Sequence, residues 1–462
     1  HTVSGPASPT DLLLEAFGAG LAAVAAENVL PAALPPPPPG RTVVVGAGKA
    51  SAALARALEE RWPAPAEAEQ TAPSHARRRD RLSGLVVVPS GHTVACEHIE
   101  VVEATHPIPQ ERGRQAARRM LGLVGGLGPD DLVIALFSGG GSALLPLPAG
   151  DVAMADKQAL TRGLLRAGAT IREINCVRSH LSAIKGGRLA LAAAPARVVN
   201  LLVSDVAGDD PALIASGPCV PDPSTLDDAR RVLEKYGLEA SPAVRAHLWA
   251  PENESPKPGD PLLRGVSTTI VASADTFLEA AADLLRGRGI ATHILSASME
   301  GESRQVALVQ AALMREIRRH GRPFSPPCAL LSGGETTVTV RGNGRGGPNL
   351  EFLLALLDAS RETGCRVAGE DLASENGFAA LACDTDGSDG SSGVAGAVVG
   401  PDTATRAWAS ALDVRAALES NDSLSFFESL GALVTTGPTL TNVNDFRAVL
   451  ILAEDHAARG NV

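Results

Sequence analysis

The sequence predicts an α/β protein of two Rossmann-like domains, the first with a mainly parallel sheet and the second with a mixed sheet, and an active site in the cleft between them. Three observations carry this. Apolar runs of four or five residues end in Gly, Ser or Asp, as in "TVVVGAGKA", "LVIALFSGGG" and "VVNLLVSDVAGD". That is the pattern of strands covered on both faces in a parallel sheet. Helical stretches such as "SAALARALEERW" alternate with these runs, and at 462 residues the chain is too long for one ordinary core.

Taken in order, "DLLLEAFGAGLAAVAAENVL" (11–30) reads as a helix capped near Thr10 or Asp11. Five prolines at 35–39 then make a stiff spacer, so residues 1–40 form an N-terminal segment. Residues 41–240 carry the first domain, with "GLVVVPSG" as a further strand. Residues 241–265, rich in Pro and polar side chains, read as a crossover. Residues 266–462 carry the second domain, with strands at "TTIVASADT", "ATHILSASMEGE", "CALLSGGETTVTV", "FAALACDTDGSDG", "ALVTTGPTL" and "FRAVLILAED". The alternation in "GETTVTVRGNGRGG" reads as a hairpin arm, which makes the second sheet mixed.

Composition narrows the function classes. Net charge is −11 with pI near 5.5, which argues against nucleic acid or an anionic membrane as main partner. A small anionic molecule held at a local positive site remains compatible. Six cysteines lie scattered without a C-x-x-C pair; they read as reduced, buried thiols of a cytoplasmic protein. No apolar run reaches the roughly 18 residues of a membrane span, and the start lacks the basic-then-apolar order of a signal peptide.

Several turns carry candidate chemistry. Ser138-Gly139-Gly140-Gly141-Ser142 follows a strand directly. Three glycines in a row are costly unless something approaches the backbone, and bare amides at a strand end suit an anion. Gly46-x-Gly48-x-x-Ser51 is a near miss for the dinucleotide fingerprint, and the next strand ends in Pro89-Ser90 with no carboxylate for a ribose. The same turn holds Lys49, one of only five lysines among 41 basic residues. A compact point charge there suits a transferring phosphate; the bland alternative is a solvated lysine. Asn175, Arg178, Ser182 and Lys185 share one face if the segment is a single helix, although many surface helices show such a stripe. Asp205, Asp209 and Asp210 stand just past a strand, where carboxylates bind Mg²⁺, accept a proton or simply cap turns. "CDTDGSDG" imitates a calcium loop, but its twelfth position is Ala395 rather than Glu, which excludes calcium. "TNVND" places Asn442 and Asp445 in another polar turn.

Together these motifs resemble the class II glycerate kinases, whose second domain is the MOFRL domain. The resemblance rests on "GAGKA", "ATHPIP", "SGGGSALL", "NCVRSHLSAIKGGRLA", "SDVAGDDPALIASGP", "SGGETTV", "ACDTDGSDG" and "TNVNDFR", in that order along nearly the whole chain. It implies ATP-dependent phosphorylation of D-glycerate at the 2-hydroxyl, with Mg²⁺. By carry-over, Lys49 matches the family's essential lysine, and Asp205 or Asp209 its active-site acid, catalytic in each case. Substrate binding falls to Ser138, Gly139, Gly140, Gly141, Ser142, Arg178, Lys185 and Arg345. Nucleotide binding falls to Gly46, Gly48, Gly333, Gly334, Glu335, Asp386, Asn442 and Asp445, and metal binding to Asp205 and Asp386. One departure stands out: where the family reads G-G-R-N-Q-E, this chain has Gly346-Gly347-Pro348-Asn349-Leu350-Glu351. Arg345 is the nearest replacement for the missing arginine, and substrate identity is what the departure touches. The rival readings are an NAD(P)H-dependent hydroxypyruvate reductase and a non-catalytic nucleotide or sugar-acid binder; a homodimer is compatible with any of them.

Overall fold

The computed structural model describes residues 8–62, 82–105, 111–361 and 377–453. The chain forms two compact units, one from Ala26 to Val271 and one made of Ala272 onward together with the segment up to Ala25. The "HPIP" part of the 104–109 motif lies outside the described residues.

The Ala26–Val271 unit is built on a six-stranded sheet of order β3-β2-β1-β4-β5-β6. Its strands are β1 (Thr42–Ala47), β2 (Leu82–Pro89), β3 (Ile99–Ala104), β4 (Leu132–Phe137), β5 (Arg197–Val203) and β6 (Val266–Ala272). β1 pairs in parallel with β2 and β4, β2 with β3, and β4 with β5. Every residue of β1 and of β4 is buried, as the unbroken apolar runs predict. Val45, Leu85, Phe137, Met120 and Leu189 meet in the core between sheet and helices, each burial worth about 1.5–3 kcal/mol for the larger side chains. A satellite core forms beneath helices Met154–Arg166, Ile171–His180 and Leu226–Lys235, around Leu164, Val177, Leu181 and Leu233. Thr170 with Glu173 and Thr225 with Asp228 close capping boxes that fix where two of these helices begin.

The strand at 266–272, expected to open the second domain, instead completes this first sheet as its edge. Asn200 Nδ2 donates to Thr268 Oγ1 at 3.3 Å. The stretch 241–265 is not a free crossover either. It folds as helix Pro242–Leu248 with two 3₁₀ turns inside the same unit, and Glu254 accepts from His180 Nε2 at 3.0 Å.

The other unit carries a six-stranded sheet of order β13-β12-β11-β14-β9-β7. Its strands are β7 (Ala291–Ser296), β9 (Cys328–Gly334), β11 (Phe378–Asp384), β12 (Gly396–Val399), β13 (Leu433–Val434) and β14 (Asp445–Ile451). β14 runs antiparallel to β9 and β11, while β7 runs parallel to β9, so the sheet is mixed. The alternation after Gly334 does not make a hairpin arm. Only Thr336–Thr337 (β10) is extended, pairing in parallel with Gly301–Glu302 (β8). Helix Pro9–Val24 is capped by Ser8, not Thr10 or Asp11, although Asp11 closes the capping box. It belongs to this unit because Phe17 packs on Phe277 and Phe446, with ring centroids 5.8 and 6.0 Å away. Among the described residues no single helix is long and apolar enough to cross a membrane.

Candidate active site

The turns after β1 and β4 interlock before they offer anything to a ligand. Lys49 N donates to Gly139 O at 2.9 Å, Ser138 N to Ala47 O at 3.1 Å, and Ala50 N to Ser138 Oγ at 3.0 Å. The glycines make this approach possible. Gly48 has φ +137°, and a Cβ there would sit 2.5 Å from Ser138 O. At Gly141 a Cβ would lie 2.6 Å from Ala47 O and 2.8 Å from Ala215 Cβ. A Cβ on Gly46 would collide with the Leu136 carbonyl. Gly46 and Gly48, expected to contact nucleotide, are buried and occupied by this packing. Gly140, at φ +81°, starts the short helix Gly141–Leu144. Among the described residues the amides of Gly139 and Gly140 donate to no protein acceptor, so they remain for an incoming anion.

Ser142 is the hub of the polar cluster beside this turn. Arg178 Nη2 donates to its hydroxyl at 2.6 Å and Lys185 Nζ at 2.9 Å, while Lys185 also reaches the Ser142 carbonyl at 2.6 Å. With both lone pairs engaged, the Ser142 hydroxyl donates onward to Ser216 Oγ, 2.8 Å away. Ser216 is held in the left-handed region at φ +61°, next to Ala215 at φ +51°, a conformation that costs energy and is found where function over-determines the backbone. The predicted one-helix stripe is only half right. The helix ends at His180, so Asn175 and Arg178 lie on it, whereas Ser182 and Lys185 sit in the turn that follows. That turn, closed by Gly186 and Gly187 at φ +59° and +81°, folds Lys185 back toward Ser142.

This cluster is unusual electrostatically. Lys185 is 1% exposed, and burial, then Arg178 and Lys157, push its pKa well below the ordinary lysine value. Burial also lowers Arg178. Among the described residues neither pairs with a carboxylate. Buried cations without a counter-charge carry an uncompensated desolvation cost, which an anionic ligand would remove.

Across the strand ends stands Asp205, just past β5. Burial raises its carboxyl to about 6, and the opposing pull comes first from Lys49 and then from its own backbone amide. Lys49 and Asp205 are therefore electrostatic neighbours, as a phosphate-neutralising ammonium and a proton acceptor would be. Asp209 adopts φ +52° in the next turn, and its amide donates to Val206 O.

The second unit holds its own polar nest at the end of β9 and β14. Asp445 pairs in register with Gly334 and Phe446 with Gly333. Asp445 accepts from Asn349 Nδ2 at 2.7 Å and from the fully buried Arg447. Burial raises its pKa, Arg447 opposes, and Asp386 adds a repulsive charge, so Asp386 and Asp445 are neighbours. Asp389 caps helix Pro348–Arg361 by accepting from the amides of Asn349 and Leu350, both at 2.9 Å. Asn442 Oδ1 accepts from Asn444 N at 3.1 Å, Asp386 Oδ1 from Ser388 N at 2.8 Å, and Glu335 is exposed. Gly334, at φ +102°, lies against the Met299 backbone. Arg345 is exposed, with its guanidinium 3.9 Å from Glu428.

Thus the structure gathers Lys49, Asp205, Ser138 to Ser142, Arg178 and Lys185 in one unit, and Gly333, Gly334, Asp386 and Asp445 in the other. The two expected metal ligands, Asp205 and Asp386, belong to different units, and among the described residues no group of three His, Cys, Asp or Glu is arranged for a metal. Sequence patterning passes over Ser216, Asn349 and Arg447. It also passes over Lys157, although lysine scarcity is a signal that reaches it.

Comparison with known proteins shows the family and the fold. Residues 12–249 match the DUF4147 family, described as a domain of unknown function, and residues 328–445 match the MOFRL family. A D-glycerate 2-kinase of Thermotoga maritima is 37% identical across 97% of this chain and 99% of its own. An Agrobacterium vitis protein that carries the provisional name hydroxypyruvate reductase is 45% identical over 96% of this chain and 95% of its own. The crystal structure of a Thermotoga maritima glycerate kinase superposes with a TM-score of 0.82 at 36% identity, covering 96% of this chain and 99% of that one. The chain belongs to the DUF4147–MOFRL family, the family of the Thermotoga maritima D-glycerate 2-kinase.

Proposed function

We propose that this protein transfers the γ-phosphoryl group of ATP to the 2-hydroxyl of D-glycerate or a close small hydroxy acid, giving 2-phosphoglycerate and ADP. The observation that carries the proposal is the Lys49–Asp205 pair beside a turn whose amides, with Arg178 and Lys185, await an anion. In this reading the acid's carboxylate settles on Arg178, Lys185 and the amides of Gly139 and Gly140. Asp205 accepts the hydroxyl proton as the oxygen–phosphorus bond forms and the bond to the ADP oxygen breaks. Lys49 neutralises charge on the transferring group. Such a reaction asks a protein for positioning and charge neutralisation more than for covalent chemistry. Mg²⁺ bound to the nucleotide's phosphates would supply further charge neutralisation, and of the two expected ligands Asp386 lies in the nest assigned to the nucleotide, while Asp205 serves as proton acceptor. The nest around Gly333, Gly334, Asp386, Asn442 and Asp445 is assigned to the nucleotide.

The reductase reading rests on a relative's name. Against it, β2 lies beside β1 and ends at Pro89-Ser90, where a dinucleotide site places the carboxylate that takes a ribose hydroxyl. The decisive experiment incubates purified protein with MgATP and a panel of small hydroxy acids, following ADP release and product by ³¹P NMR. 2-Phosphoglycerate from D-glycerate, abolished by Lys49→Ala without change in circular dichroism, is the expected result. NADH oxidation with hydroxypyruvate and no ADP release would overturn the proposal in favour of the reductase.

A further inference from the structure

A third buried basic residue underlies the anion-binding pair. Lys157, on helix Met154–Arg166, is 7% exposed, and its Nζ donates to the Leu181 carbonyl at 3.2 Å. That carbonyl, which also accepts from Ala149 N, lies between Arg178 on one helix and Lys185 in the following turn. Lys157 thus ties a separate helix to the backbone that presents both anion-binding groups. An aliphatic side chain would fill the same space without any desolvation cost.

The groups facing Lys157 are basic. Arg178 and Arg188 act on it, it acts in turn on Lys185, and it also lowers His247. The acids of the neighbourhood are engaged elsewhere. Asp222 and Glu254 face His180 and Arg188, and Asp156 on the same helix accepts from Ser241. Burial, then Arg178 and Arg188, bring the Lys157 ammonium down to about 7. As a neutral amine it still serves the Leu181 carbonyl as a donor.

We propose that Lys157 is a proton-linked positioning residue for the acceptor: uncharged and tied to Leu181 while the site is empty, it takes up a proton when a carboxylate settles on Arg178 and Lys185. The proposal rests on the acceptor site assigned above. Anion binding places a negative charge beside Arg178 and Lys185, and an opposite charge in a poorly solvated site favours the protonated amine. Binding of the hydroxy acid is therefore coupled to pH through a residue that never touches it. Lys185 touches the acid and contributes uptake of its own, so the part due to Lys157 is read as a difference between variants.

The test is isothermal titration of D-glycerate into the full-length protein at pH 8, in two buffers of different ionisation enthalpy, for wild type, Lys157→Met and Lys157→Arg. Wild type is expected to take up about half a proton more per bound acid than either variant. From pH 6.5 to 8.5 its affinity is expected to fall about tenfold more than that of Lys157→Arg, which stays charged and keeps the tie to Leu181. A purely structural lysine would give equal uptake in wild type and Lys157→Arg, and that result overturns the proposal. Equal uptake in a protein that still phosphorylates D-glycerate refutes the proton linkage alone. Failure of wild type to bind any small hydroxy acid overturns it together with the proposed function. Should Lys157→Met not fold, the comparison with Lys157→Arg decides.

Discussion

The proposed role of Asp205 as proton acceptor makes a quantitative prediction. Its carboxyl is held at about 6, raised by burial and restrained by Lys49, and as proton acceptor it works only when ionised. kcat/KM for the hydroxy acid should therefore fall on the acid side with a midpoint near 6. One pH unit below that midpoint about one molecule in eleven is ionised, so the rate at pH 5 should be about a tenth of the plateau. Because Lys49 lowers this pKa, removing its charge must raise it. An opposite charge close by is worth about 1–3 units, which carries the Asp205 titration in Lys49→Met, read from its carboxyl NMR shift because that variant is expected to be inactive, to about 7 or above. Asp205→Asn should lose about 10²–10⁴ in kcat and lose the acid limb as well, which separates Asp205 from protons titrating on the nucleotide. The assay is ADP release between pH 5 and 9, with the carboxyl ¹³C shift of Asp205 followed by NMR in wild type and Lys49→Met. A midpoint near 4, a shift downward in Lys49→Met, or an Asp205→Asn enzyme within threefold of wild type would refute the reasoning.

Other outcomes follow from the same structure. Gly48→Ala meets both a disfavoured φ and the Ser138 backbone, so it should cost about 2–5 kcal/mol in thermal or urea unfolding. Gly91→Ala, with φ +81° but open space around it, should cost only about 1 kcal/mol. Arg178→Met should raise KM for the hydroxy acid about 30- to 150-fold, from about 2–3 kcal/mol of lost charge-assisted bonding, with a smaller change in kcat. Asp389→Asn removes the carboxylate that caps helix Pro348–Arg361 and should lower unfolding free energy by about 1–2 kcal/mol, measured by urea titration. At Glu254 burial acts upward, but Lys257, the amides of Leu226 and Ser255, and His180 bring its pKa down to about 2. A depressed carboxylate stabilises above its unfolded value near 4.5 and loses that contribution as pH falls toward 2. The loss in Tm caused by Glu254→Gln should therefore be full at pH 7 and shrink steadily below pH 4.5.

How much of this was legible in the sequence depends on the range of the forces involved. The buried strands β1, β4 and β5 announce themselves because a parallel sheet covered on both faces demands unbroken apolar runs, a local property of the chain. The strand-end positions of Lys49, Asp205 and the glycine turn were legible for the same reason: each comes just after an unbroken apolar run. The edge strand β6 was not, since its exposed Ser and Thr residues carry no mark of which sheet they will join. Helix Pro9–Val24 reads correctly as a helix, yet only the stacking of Phe17 on Phe277 and Phe446 decides which unit it completes.

By itself the sequence determined the two-unit α/β class, the strand-end placement of the polar turns and the family. The tertiary structure alone decided that the glycines of the first turn serve the mutual approach of two strand ends, that Ser216 is drawn to Ser142, and that Lys157 is buried among cations. The physical reason is one of distance along the chain. Periodicity and turn chemistry act over a few residues, whereas desolvation and electrostatic coupling join groups such as Ser142, Arg178 and Ser216 that meet only after the core has formed.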